Sequence, residues 1–178
     1  LLSLFSLGLL FFILNSNASG PGLVQGIDRT GSPLSPGACA TAGCHTGGAF
    51  DPMLEIELLD NGVPVTQYEP GESYEMVATI TAGTGSPEVY GLQAVALTGM
   101  DDESAGLFEA PSGMRITVID GRDYLEHSSP SASNTFTAEW TAPPAGAGEV
   151  RFYAAANAAN GNGLNTGDGI ASIELTVP

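Results

Sequence analysis

Leu54-Glu55-Ile56-Glu57-Leu58-Leu59-Asp60-Asn61-Gly62 is the stretch from which the architecture is read. Side chains of an extended chain alternate with a period of two, so Leu54, Ile56 and Leu58 share one face and Glu55 and Glu57 the other. One face is apolar and the other carries carboxylates, which is the pattern of a strand with core beneath it and water above. Asp60-Asn61-Gly62 then supplies residues that accept the positive φ of a tight hairpin turn.

The same grammar extends outward. Tyr68-Glu69-Pro70-Gly71 reads as a second turn, and Tyr74–Thr81 alternates again. Val89–Thr98 is apolar on both alternating sets, as expected of a central strand covered on both faces. Gly99–Gly113 is acidic and turn-rich and reads as a loop, and Arg115–Ile119 as a short strand ending at Asp120-Gly121. Phe136, Ala138 and Trp140 point one way from a strand stopped by Pro143-Pro144, with Trp140 as core filler. Val150–Ala156 and Ile170–Val177 complete about seven short strands, with no long amphipathic helix among them. The expected fold is all-β, an antiparallel immunoglobulin-like sandwich with an extended N-terminal arm.

Composition agrees. The 178 residues include 24 glycines and 12 prolines, a turn-rich content. Twenty acidic residues face four arginines and no lysine, giving a formal net charge of −16. A chain this acidic has no basic patch for nucleic acid or an anionic membrane surface, and suits a basic partner.

Leu1–Leu14 is almost wholly apolar and uncharged, too short for the roughly 20 residues of a membrane span. Ser16 and Ala18 then occupy the small-residue positions read by signal peptidase. Residues 1–18 are therefore expected to be a signal peptide, 19–52 a Gly/Pro-rich arm and 53–178 the sandwich. The expected compartment is extracytoplasmic, secreted or periplasmic, and no stable membrane anchor is expected in the mature chain.

The arm contains Cys39-Ala40-Thr41-Ala42-Gly43-Cys44-His45, which holds both cysteines and one of the two histidines. Two thiols followed at once by an imidazole are the arrangement that tethers c-type haem, each thiol adding to a vinyl group and the histidine ligating iron. The spacer has four residues where two are usual. A disulfide between Cys39 and Cys44, with His45 at the surface, is the competing reading. A zinc site ranks below both, because no second cluster of cysteine or histidine supports it.

Three runs carry a family resemblance: Gly121-Arg122-Asp123-Tyr124-Leu125-Glu126-His127, Phe136-Thr137-Ala138-Glu139-Trp140-Thr141-Ala142-Pro143, and Val150–Asn157 continuing to Asn160-Gly161-Asn162-Gly163. Together with Gly20-Pro21 and Asp28-Arg29-Thr30-Gly31-Ser32-Pro33, they resemble the choice-of-anchor V proteins, exported bacterial domains similar to the Reeler β-sandwich. The resemblance implies single-haem attachment in the arm, by Cys39 and Cys44 with His45 as proximal ligand. His127, after Tyr124 and Glu126, is the matching distal ligand, placed in a polar loop beyond a strand. Met100 and Met114 are lesser candidates for the same position.

The resulting expectation is an exported single-haem c-type cytochrome, an electron carrier and not an enzyme, since two imidazoles saturate the iron. It implies one haem c, a redox partner protein of basic character, and self-association through the arm into a filament as a further reading. The alternative is a cofactor-free adhesion or matrix module whose Cys39 and Cys44 form a disulfide. Asn157, Asn160, Asn162 and Asp168 carry oxygens suited to Ca²⁺, but they lack an EF-hand pattern and read better as Asn-Gly turns. No hydrolase motif is present.

Overall fold

A computed structural model describes residues 19–38 and 45–178. One short helix, α1 (Pro21–Gln25), precedes twelve strands. These are β1 (Thr46–Gly47), β2 (Pro52–Asp60), β3 (Val63–Val65), β4 (Ser73–Ala82), β5 (Val89–Thr98) and β6 (Glu103–Ser104), then β7 (Leu107–Glu109), β8 (Met114–Ile119), β9 (Arg122–His127), β10 (Thr135–Thr141), β11 (Val150–Ala159) and β12 (Thr166–Val177). They form a seven-stranded sheet ordered β1-β12-β11-β5-β9-β8, with β6 added on β5, and a five-stranded sheet ordered β3-β2-β4-β10-β7. All pairings are antiparallel except β1 on β12, which is parallel. The expected all-β sandwich is therefore the observed fold. No helix among the described residues is long and apolar enough to cross a membrane.

The core lies between the sheets. Leu54, Ile56 and Leu58 of β2 join Tyr74, Met76, Ala78 and Ile80 of β4 and Phe136, Ala138 and Trp140 of β10. From the other sheet come Leu92, Ala94 and Ala96 of β5, Leu125 of β9, and Phe152, Ala154, Ala156 and Ala158 of β11. The alanines give way to large side chains opposite, which keeps an interior of mixed sizes close-packed. Trp140 is fully buried; its Nε1–H donates to Ala105 O at 2.9 Å, and its ring lies 4.8 Å from that of Phe152, edge to face.

The apolar run of β5 is explained by its place inside the larger sheet with both faces covered. Leu92, Ala94 and Ala96 face the inter-sheet core, whereas Val95 and Leu97 join Ile119, Tyr124 and Tyr153 in a second cluster on the opposite face. Two expectations change. The Gly99–Gly113 segment carries the short strands β6 and β7, and Arg122–His127, expected as loop, is a strand paired to both β8 and β5.

The solvent side of the five-stranded sheet carries a row of like charges. Glu139 of β10 lies directly opposite Glu75 of β4 on one flank and Glu109 of β7 on the other. All three are exposed and border a groove of about 480 Å³ that Asp60 also lines. Carboxylates in direct cross-strand register repel. Replacing Glu139 with glutamine is therefore expected to stabilise the fold by about 0.5 kcal/mol at low salt. The gain should shrink as salt screens the pairs, which denaturant titrations at two ionic strengths would show.

Candidate functional site

The arm crosses the outer face of the seven-stranded sheet, and buried polar groups hold it there. Glu126, the penultimate residue of β9, is fully buried. Its carboxylate accepts the main-chain N–H of Gly22 at 2.8 Å and of Leu23 at 2.9 Å, the Thr117 hydroxyl at 2.8 Å and the Gln93 amide at 3.4 Å. An ionised carboxylate is an acceptor only, so every one of these contacts suits it. The close approach needs glycine: a Cβ on Gly20, where φ is +87°, would stand 2.5 Å from the carboxylate carbon, and one on Gly22 2.8 Å from an oxygen.

Further along, Gln93 of β5 reads the arm's main chain, with Oε1 accepting Arg29 N–H at 2.7 Å and Nε2 donating to Ile27 O at 3.3 Å. Asp28 organises the next turn. Its Oδ1 accepts the N–H and hydroxyl of Thr30, both at 2.7 Å, and its Oδ2 accepts the hydroxyls of Ser32 at 2.6 Å and Tyr124 at 3.1 Å. Asp28-Arg29-Thr30-Gly31-Ser32 is thus a self-bonded turn, and all but the glycine are buried polar residues. Gly31 brings it against Ser172 of β12.

Burial, then the charge and hydrogen bond of Asp28, push the Tyr124 phenol well above the ordinary tyrosine range. The unfolded chain releases this proton near pH 10 and the folded chain retains it, so the folded state binds more protons above that pH. This contribution is complete below pH 10 and is lost as pH rises beyond it, by at most about 1.4 kcal/mol per pH unit. Tyr153 is shifted upward too, chiefly by burial, and adds in the same direction. Urea midpoints compared at pH 9 and pH 11 should fall steeply in the parent and less so in Tyr124→Phe.

His45 follows the undescribed 39–44 segment and enters the same face near the sheet edge. Its Nδ1 lies 2.7 Å from Asp168 Oδ2, and the carboxylate, accepting only, fixes the proton on that nitrogen. Asp168, itself buried, also accepts Asn160 N–H at 3.2 Å. The Asn157 amide nitrogen lies 3.1 Å from His45 Nδ1. Asn160 and Asn162 use their side-chain oxygens on the N–H groups of Asn162 and Leu164, which is the turn role and not that of a calcium ligand.

His127 closes β9, opposite Met114 of β8. Its Nδ1 sits 3.2 Å from Leu92 N and 3.0 Å from Leu92 O, so either tautomer finds a main-chain partner. The ring rests on Gly91, where an added Cβ would meet its Cε1 at 2.9 Å. Gly91 pairs with Asn157, so the residue touching His45 and the glycine beneath His127 are neighbours in the ladder. Met114 packs on the inter-sheet core and Met100 is fully exposed.

This geometry corrects the reading of a single-haem cytochrome. His127 lies in a strand and not in a loop, and at 9 % exposure its imidazole has no open side for a porphyrin. His45 is committed to Asp168, and among the described residues no group of three or more His, Cys, Asp or Glu gathers to hold a metal ion. The haem c cofactor and the electron-transfer function fall together. Cys39 and Cys44, expected to carry the haem, lie outside the described residues. The buried polar residues whose roles sequence reasoning missed are Asp28, Gln93 and Glu126, and Asp168, weighed there as an oxygen ligand for calcium, is instead buried against His45. One signal was available: a strand as apolar as Val89–Thr98 on both alternating sets requires a cover on each face.

No family model matches the chain, and no curated protein matches it. Among solved structures it is similar to the human F-spondin reeler domain, at 22% identity over 75% of this chain and 94% of that one, with a TM-score of 0.48. It is also similar to a conjugative transposon lipoprotein from Bacteroides eggerthii, at 10% identity over 72% and 98% of the two chains and a TM-score of 0.41. A cohesin module from a Clostridium perfringens family 33 glycoside hydrolase matches at 12% identity over 71% and 96%, with a TM-score of 0.42.

Proposed function

We propose that this chain is a cofactor-free, non-enzymatic extracellular module of the adhesion or matrix kind, with Cys39 and Cys44 closing a small disulfide loop. The observation that carries the reading is the docked arm. Residues 20–32 are tied to two strands, to β9 by Glu126 and Tyr124 and to β5 by Gln93, which makes the arm a third layer of a rigid body and not a tether for a prosthetic group. Export is supported by the apolar leader and the small residues Ser16 and Ala18, and an oxidising compartment favours the disulfide. Kinship with the choice-of-anchor V proteins belongs to the same proposal, on the motifs around Asp28, Glu126 and Asn157. The acidic surface suits a basic partner, by attraction that salt weakens.

Intact mass measured after export tests the reading. The expected chain is lighter than its reduced sequence by two hydrogens, and neither thiol alkylates until reductant is added. A mass raised by one covalent haem overturns the proposal. Two freely alkylated thiols overturn its disulfide.

A further inference from the structure

Arm and sandwich meet at a corner, where the chain crosses from β1 on the edge of the seven-stranded sheet to β2 of the five-stranded sheet. Two consecutive residues there, Phe50 at φ +68° and Asp51 at φ +41°, are left-handed. Among the described residues the other non-glycine positions of this kind are Asn61, Asp102 and Asp120, types whose short polar side chains tolerate it. A phenylalanine does not, so the corner holds backbone strain. The β4–β5 turn clamps it: Phe50 O accepts Thr84 N–H at 3.0 Å and Asp51 O accepts Gly83 N–H at 3.1 Å. Before the corner, β1 is only two residues long, and its register on β12 is broken.

We propose that the segment preceding this corner is exchangeable. Two copies of the chain trade arms, each arm docking on the outer face of the other's seven-stranded sheet, with the backbone extended through Phe50 and Asp51. The bonds of Glu126 to Gly22 and Leu23, of Gln93 to Arg29 N–H and of Tyr124 to Asp28 are all re-formed between copies, so the arm itself gains and loses nothing. What changes is the corner. The closed monomer carries its strain, whereas the exchanged dimer relaxes it and turns the Gly83 and Thr84 N–H groups to water. Tethering favours the monomer in dilute solution, and rising concentration favours the dimer. Short strained hinges are where such exchange begins. Exchange is reciprocal, so the dimer leaves no arm without a sheet.

Position 51 is exposed and supplies opposite variants. Asp51→Pro sets φ at about −65° and drives Phe50 to an extended conformation, which forbids the closed corner. Asp51→Gly takes the left-handed conformation freely and favours it. Each full chain is refolded from urea at low and high concentration with both thiols blocked, and its mass is measured by light scattering. Trp140 emission reports the core, and trypsin reports Arg29, which is buried in the docked arm. The parent is expected to form a dimer in proportion rising with concentration. Asp51→Pro should be dimeric throughout with Arg29 as resistant as in the parent, and Asp51→Gly should reduce the dimer fraction at least about threefold. A folded Asp51→Pro monomer overturns the proposal: rapid cutting at Arg29 would mean an arm merely released, and resistance would mean a corner that is no hinge. An Asp51→Pro dimer cut rapidly at Arg29 also overturns it, by placing the association on another surface. Should Asp51→Pro fail to fold, the parent and Asp51→Gly decide, and equal dimer fractions overturn the proposal.

Discussion

Trp140→Ala is expected to lower the free energy of unfolding by about 4 kcal/mol, the upper range for a large side chain removed from a packed core. The indole is fully buried between Tyr68, Tyr74 and Phe152, with ring centroids at 5.9, 6.1 and 4.8 Å. Those neighbours belong to both sheets and to the turn before β4, so no single element can move in to close the void. Gly106 lies against the indole edge and cannot fill it either. The urea midpoint should fall with an unchanged m-value, which marks lost stability in the same two-state transition. Trp140→Phe separates two contributions. It keeps most of the apolar bulk but leaves Ala105 O without its indole donor, and should cost about 1–2 kcal/mol beyond the lost volume.

Glu126→Ala is expected to release the arm. The substitution leaves the N–H groups of Gly22 and Leu23 and the Thr117 hydroxyl facing a void, each costing about 1–3 kcal/mol if it stays buried. The arm can avoid most of this by lifting into water, so the measured loss stops at the free energy of arm docking, while the two sheets stay folded. Trypsin reports the event cleanly. With four arginines and no lysine in the chain, Arg29 is the sole tryptic site in the arm, and it is buried in the parent. Rapid cutting after Arg29, with the rest of the sandwich resistant, is the expected outcome. A Glu126→Ala protein as resistant at Arg29 as the parent would show that Gln93 and Asp28 hold the arm without it.

The sandwich was legible because its long strands obey a period of two. Leu54, Ile56 and Leu58 face the core as their spacing requires, and Val89–Thr98 and the β10 residues Phe136, Ala138 and Trp140 follow the same rule. Strand β9 escaped because Arg122, Asp123, Glu126 and His127 give it the composition of a loop. Its outer face is covered by the arm, and polar side chains there are satisfied by main-chain groups that no pattern of hydrophobicity records. The arm escaped for the same reason from the other side. Asp28, Thr30 and Ser32 are buried by bonding to one another and to Tyr124, so their polarity, ordinarily a mark of exposure, misleads. The histidines stood out by rarity, and rarity carried no information about what each ring touches.

Because β1 runs parallel to β12, tension applied at the arm end and at the C-terminal end of the chain drags these two strands past one another lengthwise. The inter-strand bonds, with the further link from Ala49 N–H to Asp168 O, must then yield together and not one at a time. The arm beyond them lies across the strands, so the same pull peels its contacts in sequence, beginning at Glu126. A stretched molecule should therefore lengthen in two stages, a weak yield as the arm unwraps and a stronger one when β1 shears from β12.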